Sequence, residues 1–204
     1  MIVKVCGITR VEDALHAVRN GASALGFVFW PGSPRHIAPR CARRITDELP
    51  DGIETVGVFV NQDAAEIRDS AALAGIRTIQ LHGDESPGFA AALNLPVWRA
   101  LPVHARLDVW AAEITILLDA CDRERRGGTG RQVDWGAAAA AAARRRVVLA
   151  GGLNPGNVAR AITAVRPFGV DVSSGVETAP GIKDPERVAR FLAAAQAGLH
   201  ASRG

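Results

Sequence analysis

Short β-branched runs alternate along the chain with longer, alanine-rich stretches of helical spacing, the pattern of a parallel sheet with crossover helices. Eight strands are expected, beginning near Ile2, Ala24, Thr55, Thr78, Val97, Ile114, Val147 and Val170. Helices are expected from near Val11, Pro39, Ala64, Pro87, Arg106, Asp134 and Asn154, with an eighth from about Asp184. Two starts carry direct physical support. Asn154-Pro155 and Asp184-Pro185 each offer a capping side chain followed by proline at the first helical position. The fifth crossover, between Leu101 and Glu113, has the weakest helical pattern.

Eight consecutive βα units without an obvious insertion favour closure into a (β/α)8 TIM barrel, a single domain over residues 1–204, above an open doubly wound α/β sheet. Composition agrees: 48% hydrophobic and 22% charged residues can bury one sizeable core. The net charge of +3 comes from scattered arginines with no dense basic tract, which suits a small anionic ligand at least as well as nucleic acid. Lys4, Arg10, Glu12 and Asp13 stand where a secretory leader would be apolar, and no apolar run approaches the ~18 residues of a membrane helix. Cys6, Cys41 and Cys121 are odd in number and widely spaced, without a Cys-x-x-Cys pair. The expectation is an unexported protein with reduced thiols in a cytoplasm.

One device occurs twice in the second half of the chain. Val147-Val148-Leu149-Ala150-Gly151-Gly152-Leu153-Asn154-Pro155 and Val170-Asp171-Val172-Ser173-Ser174-Gly175 each run an apolar strand into a small glycine-bearing turn. Such turns let backbone N–H groups approach an anion, and the seventh and eighth loops of barrels often hold phosphate. Active-site residues of barrels sit where strands end, and two strand ends carry reactive groups: Cys6 after the first and Asp119 after the sixth. A thiol and a carboxylate on one rim can act as base and acid. Each also has a plainer reading, Cys6 as a small buried hydrophobe and Asp119 as a cap. A base role for Cys6 needs a positive neighbour, a helix dipole or substrate geometry. Lys4, two residues back and deeper in the barrel, is poorly placed for direct contact.

Six strings in register at successive strand ends resemble phosphoribosylanthranilate isomerase. They are Lys4-Val5-Cys6-Gly7-Ile8-Thr9; Gly26-Phe27-Val28-Phe29 with Ser33-Pro34-Arg35; Gln80-Leu81-His82-Gly83; Leu117-Leu118-Asp119 with Gly127-Gly128-Thr129-Gly130 and Asp134-Trp135; and the two glycine turns, the second extended to Val176-Glu177. The resemblance covers nearly the whole chain. Its departures are minor: Val5 stands where isoleucine is usual, and Val133 where phenylalanine commonly precedes Asp-Trp. It implies a step of tryptophan synthesis, the Amadori rearrangement of N-(5-phosphoribosyl)anthranilate, with no cofactor or metal. Matching positions would make Asp119 the general acid and Cys6 the general base. Arg35 would bind the anthranilate carboxylate, and Gly151, Gly152, Ser173, Ser174 and Gly175 the phosphate. Gly128, Thr129 and Gly130 would form a flap over the substrate, with Arg123, Arg125 and Arg126 beside it.

Lys4 and Asp171 should share the inward faces of adjacent strands, so a buried supporting ion pair is expected. Gln80 and His82 end the fourth strand and read as hydrogen-bonding support, with His82 also open to an acid or base role. His16, His36, His104 and His200 lack ligand partners at metal spacing and read as surface positions. Residues 137–143 are an alanine run whose following arginines suit a helix C-terminus. Three rival readings remain. A barrel isomerase of histidine synthesis would call for aspartate in place of Cys6, and indole-glycerol-phosphate synthase for a lysine and glutamate set that these rim positions lack. A phosphosugar-binding barrel without catalysis is disfavoured by the presence of both Cys6 and Asp119.

Overall fold

The computed structural model describes residues 1–120 and 133–201. Eight parallel strands close a barrel in simple sequence order: β1 Ile2–Cys6, β2 Ala24–Val28, β3 Glu54–Phe59, β4 Thr78–Leu81, β5 Val97–Leu101, β6 Thr115–Leu118, β7 Val147–Leu149 and β8 Gly169–Val172. Around them run α1 Val11–Arg19, α2 Pro39–Thr46, α3 Ala64–Ala74, α4 Pro87–Ala91, α5 Trp135–Ala142, α6 Val158–Val165 and α7 Pro185–Ala201. Among the described residues no helix is long and apolar enough to cross a membrane.

Two-residue alternation along each strand divides the core. Outward residues such as Val5, Leu25, Phe27, Ile79 and Ile116 pack with helix residues such as Ala14, Ile45 and Phe191. Inward residues Val56, Trp98, Ala100, Leu117, Val148 and Ala150 form a separate cluster that fills the barrel. Register decides what lies above that plug: Lys4 pairs with Ala24 and Asp171, and Cys6 with Gly26.

Three differences stand out, two of them corrections of expected helices. No helix occupies the fifth crossover; residues 102–114 run as turns. The backbone there finds another partner, because the Arg145 guanidinium donates to the carbonyls of Leu107, Trp110, Ala111 and Ile114. The helix expected from Asn154 starts instead at Val158. Asn154 Oδ1 accepts from Gly156 N–H, and Asn157 Oδ1 from Asn154 N–H, so side-chain turns take the first residues. The third difference is an unforeseen antiparallel hairpin between β8 and α7, β9 Glu177–Ala179 with β10 Ile182–Lys183. The Pro180-Gly181 dipeptide was its turn signal. The cap at Asp184 forms as expected, accepting from Arg187 N–H, and at the helix start expected near Asp134 that side chain accepts from Gly136 and Ala137 N–H.

Candidate active site

The carboxyl ends of the strands collect buried charge. Lys4 is fully buried, and its ammonium donates to Asp171 Oδ1 at 3.0 Å, the expected ion pair. The same ammonium comes close to the Cys6 thiol and acts on it electrostatically from two residues back along the strand. Residues two apart share the inward face, and the four-carbon lysine stem spans the layer between them. Room for this contact comes from Gly26 on the neighbouring strand. A Cβ there would lie 2.6 Å from Cys6 Sγ and 3.0 Å from Lys4 Nζ. Burial pushes the Lys4 pKa down, but Asp171 and Cys6 outweigh it, and Lys4 stays charged. Burial pushes the Cys6 thiol up, against the pull of Lys4. Burial outweighs that pull and the thiol stays above its ordinary value, with Lys4 the positive neighbour that limits the rise.

Asp119 is buried just beyond β6, with Oδ1 accepting from Ala120 N–H at 2.8 Å. Burial raises its pKa, opposed by that backbone bond and by Lys4. One lysine therefore acts on both candidate catalytic groups. His82 places Nε2 3.5 Å from Asp119 Oδ2. Its Nδ1 lies 3.2 Å from the Gln80 amide nitrogen, which donates to it and leaves the ring proton on Nε2, facing Asp119. Burial, with Lys4 adding to it, lowers the His82 pKa to about 4, so the ring is neutral near pH 7. At 3.5 Å His82 Nε2 makes no hydrogen bond among the described residues, so Gln80 holds the ring beside Asp119 without a bond between ring and carboxylate.

Two glycine turns form one wall of the rim. Gly151 and Gly152 adopt φ of +74° and +67°, a left-handed backbone that glycine alone takes readily. A Cβ on Gly151 would lie 2.7 Å from Ala120 N, so this turn packs onto the backbone that follows Asp119. A Cβ on Gly175 would overlap the Leu153 carbonyl oxygen, so the seventh and eighth loops interlock. Ser173 Oγ is buried without a hydrogen-bond partner among the described residues, a donor left for a ligand. Ser174 follows in a single 3₁₀ turn, Ser174–Val176.

Arg35 approaches from the loop after β2. Gly7 makes way for it, since a Cβ there would sit 2.6 Å from Arg35 Cδ and 3.1 Å from Ser173 Oγ. Its guanidinium pairs with Glu177 at 2.9 Å and 2.7 Å. The structure therefore brings Cys6, Asp119, Arg35, Gly151, Gly152, Ser173, Ser174 and Gly175 to one rim. Gly128, Thr129 and Gly130, with Cys121 and the neighbouring arginines, lie outside the described residues. Sequence reasoning gave no role to Glu177 or Lys183; the available signal was an acid placed directly after the second glycine turn. His36, His104 and His200 are exposed and His16 half-buried, with Nε2 on the Pro185 carbonyl.

A cavity of about 1150 Å³ opens at the opposite end of the barrel, among Ile2, Glu54, Thr78, Trp98, Thr115 and Arg146. These are strand beginnings, where barrel residues serve stability. The Glu54 carboxylate there is occupied by Thr78 Oγ1 at 2.5 Å. Size and chemistry disagree about the site, and the strand ends with their buried titratable groups are the better guide.

A family model for N-(5'phosphoribosyl)anthranilate (PRA) isomerase matches residues 3–194. The chain belongs to this family. It is accordingly similar to the N-(5'-phosphoribosyl)anthranilate isomerase of Citrifermentans bemidjiense, 48% identical over 95% of this chain and 96% of the relative. Among solved structures, phosphoribosyl anthranilate isomerase of Thermotoga maritima superposes with a TM-score of 0.88 at 43% identity, covering 96% of this chain and 99% of that one. A phosphoribosyl anthranilate isomerase complexed with reduced 1-(o-carboxyphenylamino)-1-deoxyribulose 5-phosphate superposes at 0.85 with 42% identity, covering 96% and 99%. Like other phosphoribosylanthranilate isomerases, this chain is an enzyme of tryptophan biosynthesis built on a TIM barrel.

Proposed function

We propose that the chain converts N-(5'-phosphoribosyl)anthranilate to 1-(o-carboxyphenylamino)-1-deoxyribulose 5-phosphate, with Asp119 as general acid and Cys6 as general base. The observation that carries this reading is Lys4, buried beside Cys6 around Gly26 and electrostatically coupled to both the Cys6 thiol and Asp119 on the same rim. The similar complex holds a 5-phosphate compound, and the interlocked glycine turns with the Ser173 hydroxyl, unpartnered among the described residues, support reading this wall as the place for a phosphate. The reading takes residues 1–204 as one barrel domain working in a reducing cytoplasm on a small phosphosugar.

Burial holds a proton on Asp119 more firmly than on an exposed carboxyl. That proton passes to the furanose ring oxygen as the C1–O bond breaks, leaving a protonated Schiff base between C1 and the anthranilate nitrogen. The Cys6 thiolate, favoured by Lys4, then takes the proton from C2, whose electron pair forms the C1–C2 double bond while the imine pair returns to nitrogen. The enolamine gains a proton at C1 and loses one from the C2 hydroxyl to give the ketone. Each step is a proton transfer served by side chains, so the sequence of steps calls on no cofactor. Arg35 holds the anthranilate carboxylate, and Gly151, Gly152, Ser173, Ser174 and Gly175 hold the phosphate.

The test follows the loss of phosphoribosylanthranilate fluorescence with the purified protein and its Cys6→Ser and Asp119→Asn variants, alongside the aminoaldose of the histidine pathway. Turnover of the anthranilate compound, reduced about 10²–10⁴-fold or more by either change, is expected. Tight binding without turnover in the unaltered protein would leave a phosphosugar-binding barrel and sink the mechanism.

A further inference from the structure

Glu177 binds Arg35 by three close contacts, at 2.9, 3.1 and 2.7 Å. Its carboxylate also accepts from Lys183 Nζ at 2.6 Å and from Gly181 N–H at 3.3 Å. Lys183, equally buried, gives a second bond to the Cys6 carbonyl oxygen at 2.5 Å. One unbroken chain of charge-assisted bonds thus runs from Arg35 through Glu177 and Lys183 to the backbone of Cys6. Burial alone would raise the Glu177 pKa, but Arg35 and Lys183 hold it below the usual carboxylate range. Two buried charges and a half-buried one are a poor way to gain stability alone, since a packed apolar replacement is often as stable.

The geometry of the arginine points to a different use. Glu177 takes the Nε and Nη2 edge of the guanidinium, while Nη1 has no hydrogen bond among the described residues. A planar guanidinium has five donors in a fixed fork, so fixing one edge aims the other, the Nη1/Nη2 pair, at a second carboxylate. We propose that Glu177 is the positioning residue for Arg35, and that the β9–β10 hairpin, through Lys183, ties this carboxylate-recognising arginine to the backbone of the base Cys6. The inference rests on the reading of Arg35 under the proposed function. It makes recognition of the anthranilate carboxylate, as distinct from phosphosugar chemistry, a property of the hairpin.

The test compares phosphoribosylanthranilate with its carboxylate-free analogue phosphoribosylaniline in steady-state kinetics. Glu177→Gln is expected to raise KM for the anthranilate compound about 10- to 100-fold with kcat little changed, and to leave kcat/KM for the aniline compound near that of the unaltered protein. Glu177→Asp keeps the negative charge but withdraws it by one methylene from both Arg35 and Lys183; it should show the same split and serves if the glutamine variant does not fold. In an Arg35→Ala background Glu177→Gln should add no further loss. Equal losses on both compounds, or additive losses in the double variant, would make Glu177 a strut and overturn the inference alone. An Arg35→Ala variant that fails to distinguish the compounds overturns the Arg35 assignment itself, and the inference with it.

Discussion

The two ends of the barrel solve opposite problems. At the N-terminal end lies an opening of about 1150 Å³, yet the Glu54 carboxylate in it is satisfied by a neighbouring threonine. At the C-terminal end Lys4, Asp171, Asp119 and His82 crowd together, nearly all excluded from water. Desolvation there moves the pKa of each group, and a single ammonium acts on both the thiol and the carboxylate. Chemistry follows the buried, mutually coupled groups and not the volume of the opening.

Removing the coupling is the strongest way to break this contrast. Lys4→Met leaves Asp171 buried without its cation and should cost about 3–5 kcal/mol in denaturant unfolding. It also removes the charge that draws the Cys6 pKa down, while Asp171 and Lys183 still face the thiol. The rising limb of the pH dependence of kcat/KM should therefore move to higher pH. An unmoved limb would deny Lys4 its part in thiolate formation.

His82 gives a smaller effect with a defined sign. The unfolded ring binds a proton below about pH 6.5, whereas the folded ring does so only near pH 4, held neutral by burial. Between those values the unfolded state carries more protons, so stability falls as pH drops through this window, by up to about 3 kcal/mol. Urea unfolding from pH 7 to 4 should show a shallower decline for His82→Gln than for the unaltered protein. Parallel slopes would mean that the ring titrates normally.

The least effect is expected at the other end. Val109 lines the large cavity and is 46% exposed, so Val109→Ser should change stability by no more than about 0.5 kcal/mol. Its kcat and KM should match those of the unaltered protein. A clear loss of turnover would show that the two ends are linked and that the contrast is incomplete.

Much of this was readable along the chain. Each strand announced itself by a β-branched run, and the residue ending it could be named, so Cys6 and Asp119 were found by counting to the rim. Local chemistry likewise placed the cap at Asp184, because a capping side chain acts within three residues. The fifth crossover misled for a non-local reason: the carbonyls that a helix would have satisfied are held by Arg145, more than thirty residues away. Asn154 misled for a local one, since its side chain closes a turn as readily as it caps a helix.

By itself, then, the sequence determined the eight-fold alternation, the glycine turns and the reactive groups at strand ends, all of which rest on periodicity and short-range sterics. Only the tertiary structure decided what those groups touch. Glu177 meets Arg35 across 142 residues, and Lys183 meets the Cys6 carbonyl across 177. Such pairs depend on barrel closure, which brings the eighth loop against the first and second, and on desolvation that no neighbouring residue in the chain can report.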